Sequence, residues 1–174
     1  GKVACVFAYG MVKLDLHKQV ANRILEPWQF IHVVLSSTTY DNFFALRDHA
    51  DAQPCIRDLA QKMRKARDAS YPTRLKPGQW HLPYLSATER SGLSTGVARK
   101  VSAARCCRVS YLKHDGGASD FLEDEKLGDR LAKSKPIHAS PFEHVATPLD
   151  NSNLRSGNFQ GWMQYRELVE GIVK

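Results

Sequence analysis

Three groups of side chains in this sequence have types and spacings that can do chemistry. The first pairs Arg23, in NRILEP, with Arg47, in NFFALRDH. Arginines on either side of an apolar segment can converge on one anion, because the guanidinium fork matches a phosphate or an ionised pyrimidine ring. Two solvated arginines at helix ends satisfy the same spacing. The second is HASPFEH, with His138, Ser140, Glu143 and His144. Two imidazoles, a hydroxyl and a carboxylate so close together suit a site, but the spacing is not the HExxH helix that puts two metal ligands and a base on one face. Ser140 lacks the flanking glycines of a nucleophile elbow, and a loop histidine beside a capping glutamate is the alternative. The third is RCCRVSY, with Cys106 and Cys107 between Arg105 and Arg108 and with Ser110 and Tyr111 after them. Flanking arginines can depress a thiol pKa and make a nucleophile; cysteines at the end of an apolar helix more often belong to the core. No CxxC or Cys/His finger spacing occurs, so no metal site is expected. No GxGxxG after a strand and no Walker A sequence is present, which excludes those two phosphate cradles.

The elements that must position these residues follow from apolar periodicity. Leu16, Val20 and Ile24 recur at four-residue steps, and the pattern predicts a helix over 3–24 that Pro27 stops. Residues 30–39, FIHVVLSSTT, are β-branched with a continuous apolar middle and read as a buried strand or extended segment. Asp41 can cap a short helix carrying Phe43, Phe44 and Leu46. Cys55 or Ile56, Leu59, Met63 and Ala66 draw one stripe of an amphipathic helix, with Pro54 tolerable in its first turn. The prolines and glycine of 71–86 make that stretch an extended connector. A further helix is expected over 94–108, with Val97, Val101 and Ala104 on one side. Asp120 and Glu123 form a capping box for another helix through Lys133, with Leu127 and Leu131 facing inward. From Pro136 the chain is loop-rich and ends in the aromatic run NFQGWMQYRELV.

The 174 residues are 43% hydrophobic and 25% charged, which suits a single domain over 1–174 with a connector at 71–93. Disorder, collagen-like repeats and a disulfide miniprotein are excluded. No apolar run approaches the length of a membrane span and no leader pattern opens the chain. Four cysteines without a disulfide framework fit a reducing compartment, so a soluble cytoplasmic protein is expected. The 25 Lys and Arg against 18 Asp and Glu leave +7. That surplus suits phosphates, nucleotides or a nucleic-acid backbone, or is simply a soluble basic surface.

Taken together, HKQVANRILEP, NFFALRDHADAQPCIRDLAQKM, AARCCRVSYL and HASPFEH resemble the flavin-dependent thymidylate synthase family, in the permuted motif order of phage-type members. GQWHLPY and GNFQGWMQYR are similar to segments of that permuted group. The resemblance implies an α+β fold, a mixed β-sheet flanked by helices. It implies reductive methylation of dUMP to dTMP with FAD as cofactor and with methylenetetrahydrofolate and NADPH as co-substrates. By motif, Arg23 and Arg47 would hold the uracil ring, with Arg47 catalytic in stabilising the negative charge the ring develops. Asn42 would contact the flavin, His138 and Ser140 would line it, Glu143 would shape that loop, and Ser110 would sit near the flavin phosphates. The resemblance further implies a homotetramer with sites between subunits, no metal, and a cytoplasmic setting, in a host cell if the chain is phage-encoded. The chain departs from the family in lacking the Arg-His-Arg and Ser-x-Arg motif and in carrying Glu26 before Pro27, which implies a truncated member. The alternative is a non-catalytic nucleotide or single-stranded nucleic-acid binding protein, motivated by the charge and by Trp80, Tyr84, Trp162 and Tyr165 as exposed aromatics. A Cys-dependent hydrolase using Cys106 and a histidine is a third reading.

Overall fold

A computed structural model describes residues 1–110 and 120–172, with the side chain of Ser110 outside that set. The chain forms two units, Gly1–Val33 and Val34–Lys174. In the first, the helix predicted over 3–24 is broken in the middle. Lys2–Lys13 (α1) ends where Asp15 adopts φ 61°, a left-handed conformation that a short polar side chain tolerates and a helix cannot propagate. Lys18–Ala21 (α2) restarts under a cap, the His17 ring accepting the Gln19 N–H, and passes directly into a 3-10 helix over Asn22–Trp28. Pro27 lies inside that last turn and the chain leaves it extended at Gln29. The small residues Ala4, Ala8 and Ala21 are buried, whereas Val3, Val6, Phe7 and Tyr9 stand in solvent.

The strand expected over 30–39 does not form. Phe30 is 98% exposed, and the segment makes no strand pairing. β-branched residues favour the extended conformation, but a strand also needs an edge to pair with. Only residues near its end find one: the Thr38 N–H donates to the Asn158 carbonyl at 3.2 Å.

In the second unit Asp41–Arg47 (α3) packs on Pro54–Asp68 (α4). Asp41 is the first helical residue rather than the cap, which is Tyr40. Phe44 is buried, with the guanidinium groups of Arg64 and Arg67 at 5.1 and 4.6 Å from its ring centre. The expected stripe of α4 is rotated: Ala60 is fully buried while Leu59 is 49% exposed. Residues 71–86 contain no helix or strand, yet they are tied down. The His81 N–H donates to the Ala146 carbonyl at 2.7 Å, and the Thr147 hydroxyl donates to the Gln79 carbonyl at 2.8 Å. Leu82 and Leu85 enter the core. Ala87–Gly92 (α5) starts with a capping box between Ser86 and Glu89.

Thr95–Ser110 (α6) and Phe121–Lys133 (α7) are the main packed pair. Ala98, Val101, Ala103 and Leu131 meet Phe142, Val145 and Tyr165 in one cluster. α6 has no clean apolar face because it is covered on several sides, Ser102 included. The capping box expected from Asp120 and Glu123 is not made: Asp120 holds the cap position with no side-chain bond, and the Glu123 carboxylate lies 4.0 Å from Arg108 instead. Residues 111–119, with the HDGGAS turn and Tyr111, lie outside the described residues.

Beyond α7 a 3-10 helix covers Ser140–His144. Ala146–Pro148 (β1) then pairs antiparallel with a later strand, Trp162–Gln164, and between them Arg155–Ser156 (β2) and Phe159–Gln160 (β3) form a tight hairpin. The pairing strand is β4, and Tyr165–Val169 (α8) follows it. Helix far exceeds strand, 55% against 7%, an arrangement compatible with α+β. Among the described residues the strands make two antiparallel pairs rather than the one mixed sheet expected. No described helix is long and apolar enough to cross a membrane.

Candidate anion-binding cleft

The hairpin turn organises the most chemically distinctive surface of the second unit. Gly157 takes φ 53°, a backbone conformation that glycine adopts without strain, and a Cβ there would lie 2.8 Å from Oε1 of Gln164, which would have to shift. The turn brings the Asn158 carbonyl against residues 37–39, where it accepts from the Thr38 N–H and from the Ser37 hydroxyl at 3.1 Å. The Gln160 N–H in turn donates to the Thr38 hydroxyl at 2.9 Å. This stitching closes a cleft of about 420 Å³ between the hairpin, residues 37–39 and α3.

α3 turns one side toward this space. At 100° per residue, Asn42, Phe43, Leu46 and Arg47 fall within one arc of the helix, and all four line the cleft, while Phe44 points the other way into its aromatic and arginine packing. Arg155 enters from β2. Its guanidinium reaches Oε1 of Gln160 at 3.4 Å. Neither Arg47 nor Arg155 has an ion-pair partner among the described residues, and no carboxylate lines the cleft. Two unneutralised guanidinium groups beside hydroxyls and an apolar wall can hold an anion that carries a planar or apolar body.

A second recess, of about 470 Å³, shares Gly157 and Asn158 with the first. Its arginine is already engaged. Arg166 bridges Glu143 and Glu170, the latter at 2.9 Å, and Nε2 of Gln164 donates to the Glu143 carbonyl at 2.9 Å.

The expected site residues therefore separate. Asn42 and Arg47 share the cleft, and Glu143 lines the neighbouring recess. His138 and Ser140 are exposed and line neither; the His138 N–H donates to the Ser134 hydroxyl at 3.1 Å. Arg23 is exposed on the 3-10 helix of the first unit, and Ser110 ends α6 with its side chain outside the described residues. Among the described residues, Asn42 and Arg47 thus share a cleft that His138, Ser140 and Glu143 do not line. His144, which carries no expected role, holds its Nδ1 3.1 Å from the Ser36 hydroxyl, and burial lowers its pKa.

Two further expectations concern the thiols and the aromatics. Burial pushes the Cys106 thiol up to about 12, so it is a protonated core group and not a nucleophile. The arginines beside it are engaged elsewhere: Arg105 binds Asp124 at 2.9 Å and Glu89 at 2.6 Å, and Arg108 binds Asp124 at 2.7 Å. The exposed aromatic array is also absent in part. Tyr165 is buried, and Trp80 packs against it edge-on at 5.9 Å with Arg99 over both rings. Only Tyr84 of the four is more than half exposed.

Arg155 and the hydroxyls of 37–39 escape sequence reasoning. The Ser-Gly-Asn step after Arg155 signals a hairpin turn, but nothing local says which element that turn will meet. The chain matches no protein-family model, no curated protein and no solved structure.

Proposed function

We propose that this chain is of the flavin-dependent thymidylate synthase type, acting on dUMP with methylenetetrahydrofolate and NADPH as co-substrates. What supports the reading is the cleft in which the motif positions Asn42 and Arg47 sit together, rich in cation and free of carboxylate. In this reading Arg47 places its guanidinium where the uracil ring gains negative charge, a contact that strengthens as the ring becomes anionic. Phe43 and Leu46 supply the apolar wall for the ring, and the amide of Asn42 contacts the flavin. Bound FAD would supply the hydride that converts the transferred methylene to a methyl group. Because His138 and Ser140 lie away from the cleft, the reading also requires a homo-oligomer, a tetramer by resemblance, in which one copy completes the site of another. Exposed apolar residues of the first unit, among them Val6, Phe7, Trp28 and Phe30, are available for such assembly.

The test is a visible absorbance spectrum of the purified protein after incubation with FAD and desalting, repeated with dUMP present. Retained flavin whose spectrum shifts on adding dUMP is the expected result. A colourless protein that also ignores dUMP in calorimetry would overturn the reading.

A further inference from the structure

We propose that Arg155, which no motif assigns, is the second anion-holding residue of the Arg47 cleft, and that it takes the phosphate of a phosphate monoester whose ring faces Arg47. The choice of dUMP as the natural ligand rests on the function proposed above; the charge argument does not.

Charge assignment within the second unit carries the proposal. Arg64 is paired with Asp48, Arg67 with Asp68, Arg105 with Glu89 and Asp124, Arg108 with Asp124, and Arg166 with Glu143 and Glu170. Arg47 and Arg155 have no such partner among the described residues, nor do Arg57, Arg74, Arg90, Arg99 and Arg130; what sets Arg47 and Arg155 apart is the cavity they share, whose lining holds no acid. They arrive there from different elements, the end of a helix and a two-residue strand. A hairpin stitched to Ser37 and Thr38 by four hydrogen bonds fixes their common space.

The ligand class follows from charge matching. A phosphate monoester carries about −1.5 to −2 at pH 7, which the two positive charges of the cleft balance, with the Arg155 fork meeting the phosphate directly. A carboxylate or a phosphodiester would leave one of the two uncompensated. Gln160, at 3.4 Å from the Arg155 guanidinium, orients it without cancelling its charge. Phe43 and Leu46 on the α3 side give the rest of the ligand an apolar surface.

The experiment is calorimetric titration of the full chain with dUMP, deoxyuridine, 2-deoxyribose 5-phosphate and AMP, using wild type, Arg155→Gln, Arg155→Lys and Arg47→Gln. Circular dichroism checks that each variant is folded. The expected result is that Arg155→Gln weakens the phosphate-bearing ligands roughly tenfold or more, the scale of one charge-assisted contact. Deoxyuridine should be unaffected, and Arg155→Lys should recover part of the loss. Equal affinity of wild type and Arg155→Gln for dUMP would overturn the assignment, as would equal weakening of dUMP and deoxyuridine, or no binding of any phosphate ester. Should Arg155→Gln fail to fold, inorganic phosphate added to isotopically labelled wild type decides: shifts at the Gly157 and Asn158 amides support the site, and their absence overturns it. The two proposals fail separately. Phosphate binding through Arg155 with no preference for dUMP over AMP and no flavin retention sinks the synthase reading alone. Flavin retention and dUMP binding indifferent to Arg155 sink the Arg155 assignment alone.

Discussion

Asp124 is fully buried and takes a guanidinium from each of Arg105 and Arg108, so its carboxylate is matched by two charges inside the protein. Such a group adds little net stability against an apolar substitute, but removing one member leaves the others uncompensated. Asp124→Asn is expected to cost about 3 kcal/mol in denaturant unfolding, far more than a surface substitution. Glu89, at the outer edge of the same network, is held down to about 2 from an ordinary 4.5 by its hydrogen bond to Arg105 and by Ser86. A depressed carboxyl pKa stabilises the fold above the unfolded value and loses that contribution as pH falls toward the folded one. Wild type should therefore lose thermal stability between about pH 4.5 and pH 2 in part through this group. Glu89→Gln should melt lower than wild type at neutral pH, and the gap should close as the pH approaches 2; a gap that persists there would refute the linkage. In RCCR the arginines build a structural ion network that no local pattern indicates, and the first cysteine is core, as its place at a helix end favours.

At the scale of elements, the contact between α6 and α7 depends on Gly128. A Cβ at that position would come within 2.8 Å of the Lys100 carbonyl oxygen, a backbone atom that cannot step aside. Gly128→Ala should improve helix propensity locally and still lower stability by about 1–3 kcal/mol, because the two helices must separate. An unchanged or raised melting temperature would show that the pair can adjust. α4, α6 and α7 were legible from their periodicity, since a long amphipathic or apolar repeat carries the signal over many residues. The strand over 30–39 was not, because propensity for extended backbone does not supply a partner edge. Nor was the break at Asp15, where one left-handed residue ends α1 although the four-residue apolar spacing continues past it. The rotated stripe of α4 has a similar origin. Its inner face is set by the neighbours it meets, so Ala60 is buried and the larger Leu59 is not.

For the whole molecule, the first unit leaves Val3, Val6, Phe7, Trp28, Phe30 and Ile31 exposed, more apolar side chain than a short segment of a monomer ordinarily shows. The proposed function makes a prediction here. Light scattering coupled to size exclusion should give a mass of several chains, and Phe7→Glu should lower that mass; a wild-type monomer at micromolar concentration would count against a shared site. Some of this was written in the sequence: the cationic surplus, the three long helices, the connector at 71–86, and the placing of Asn42 and Arg47 on one side of a short helix, which follows from helical geometry alone. Arg155 belongs to the other class. Its side chain joins Arg47 only because the turn at Gly157 docks on residues 37–39, a long-range contact set by four hydrogen bonds rather than by any local pattern. Which arginines stay unpaired is likewise a tertiary matter, since a carboxylate neutralises a guanidinium only where packing brings the two together.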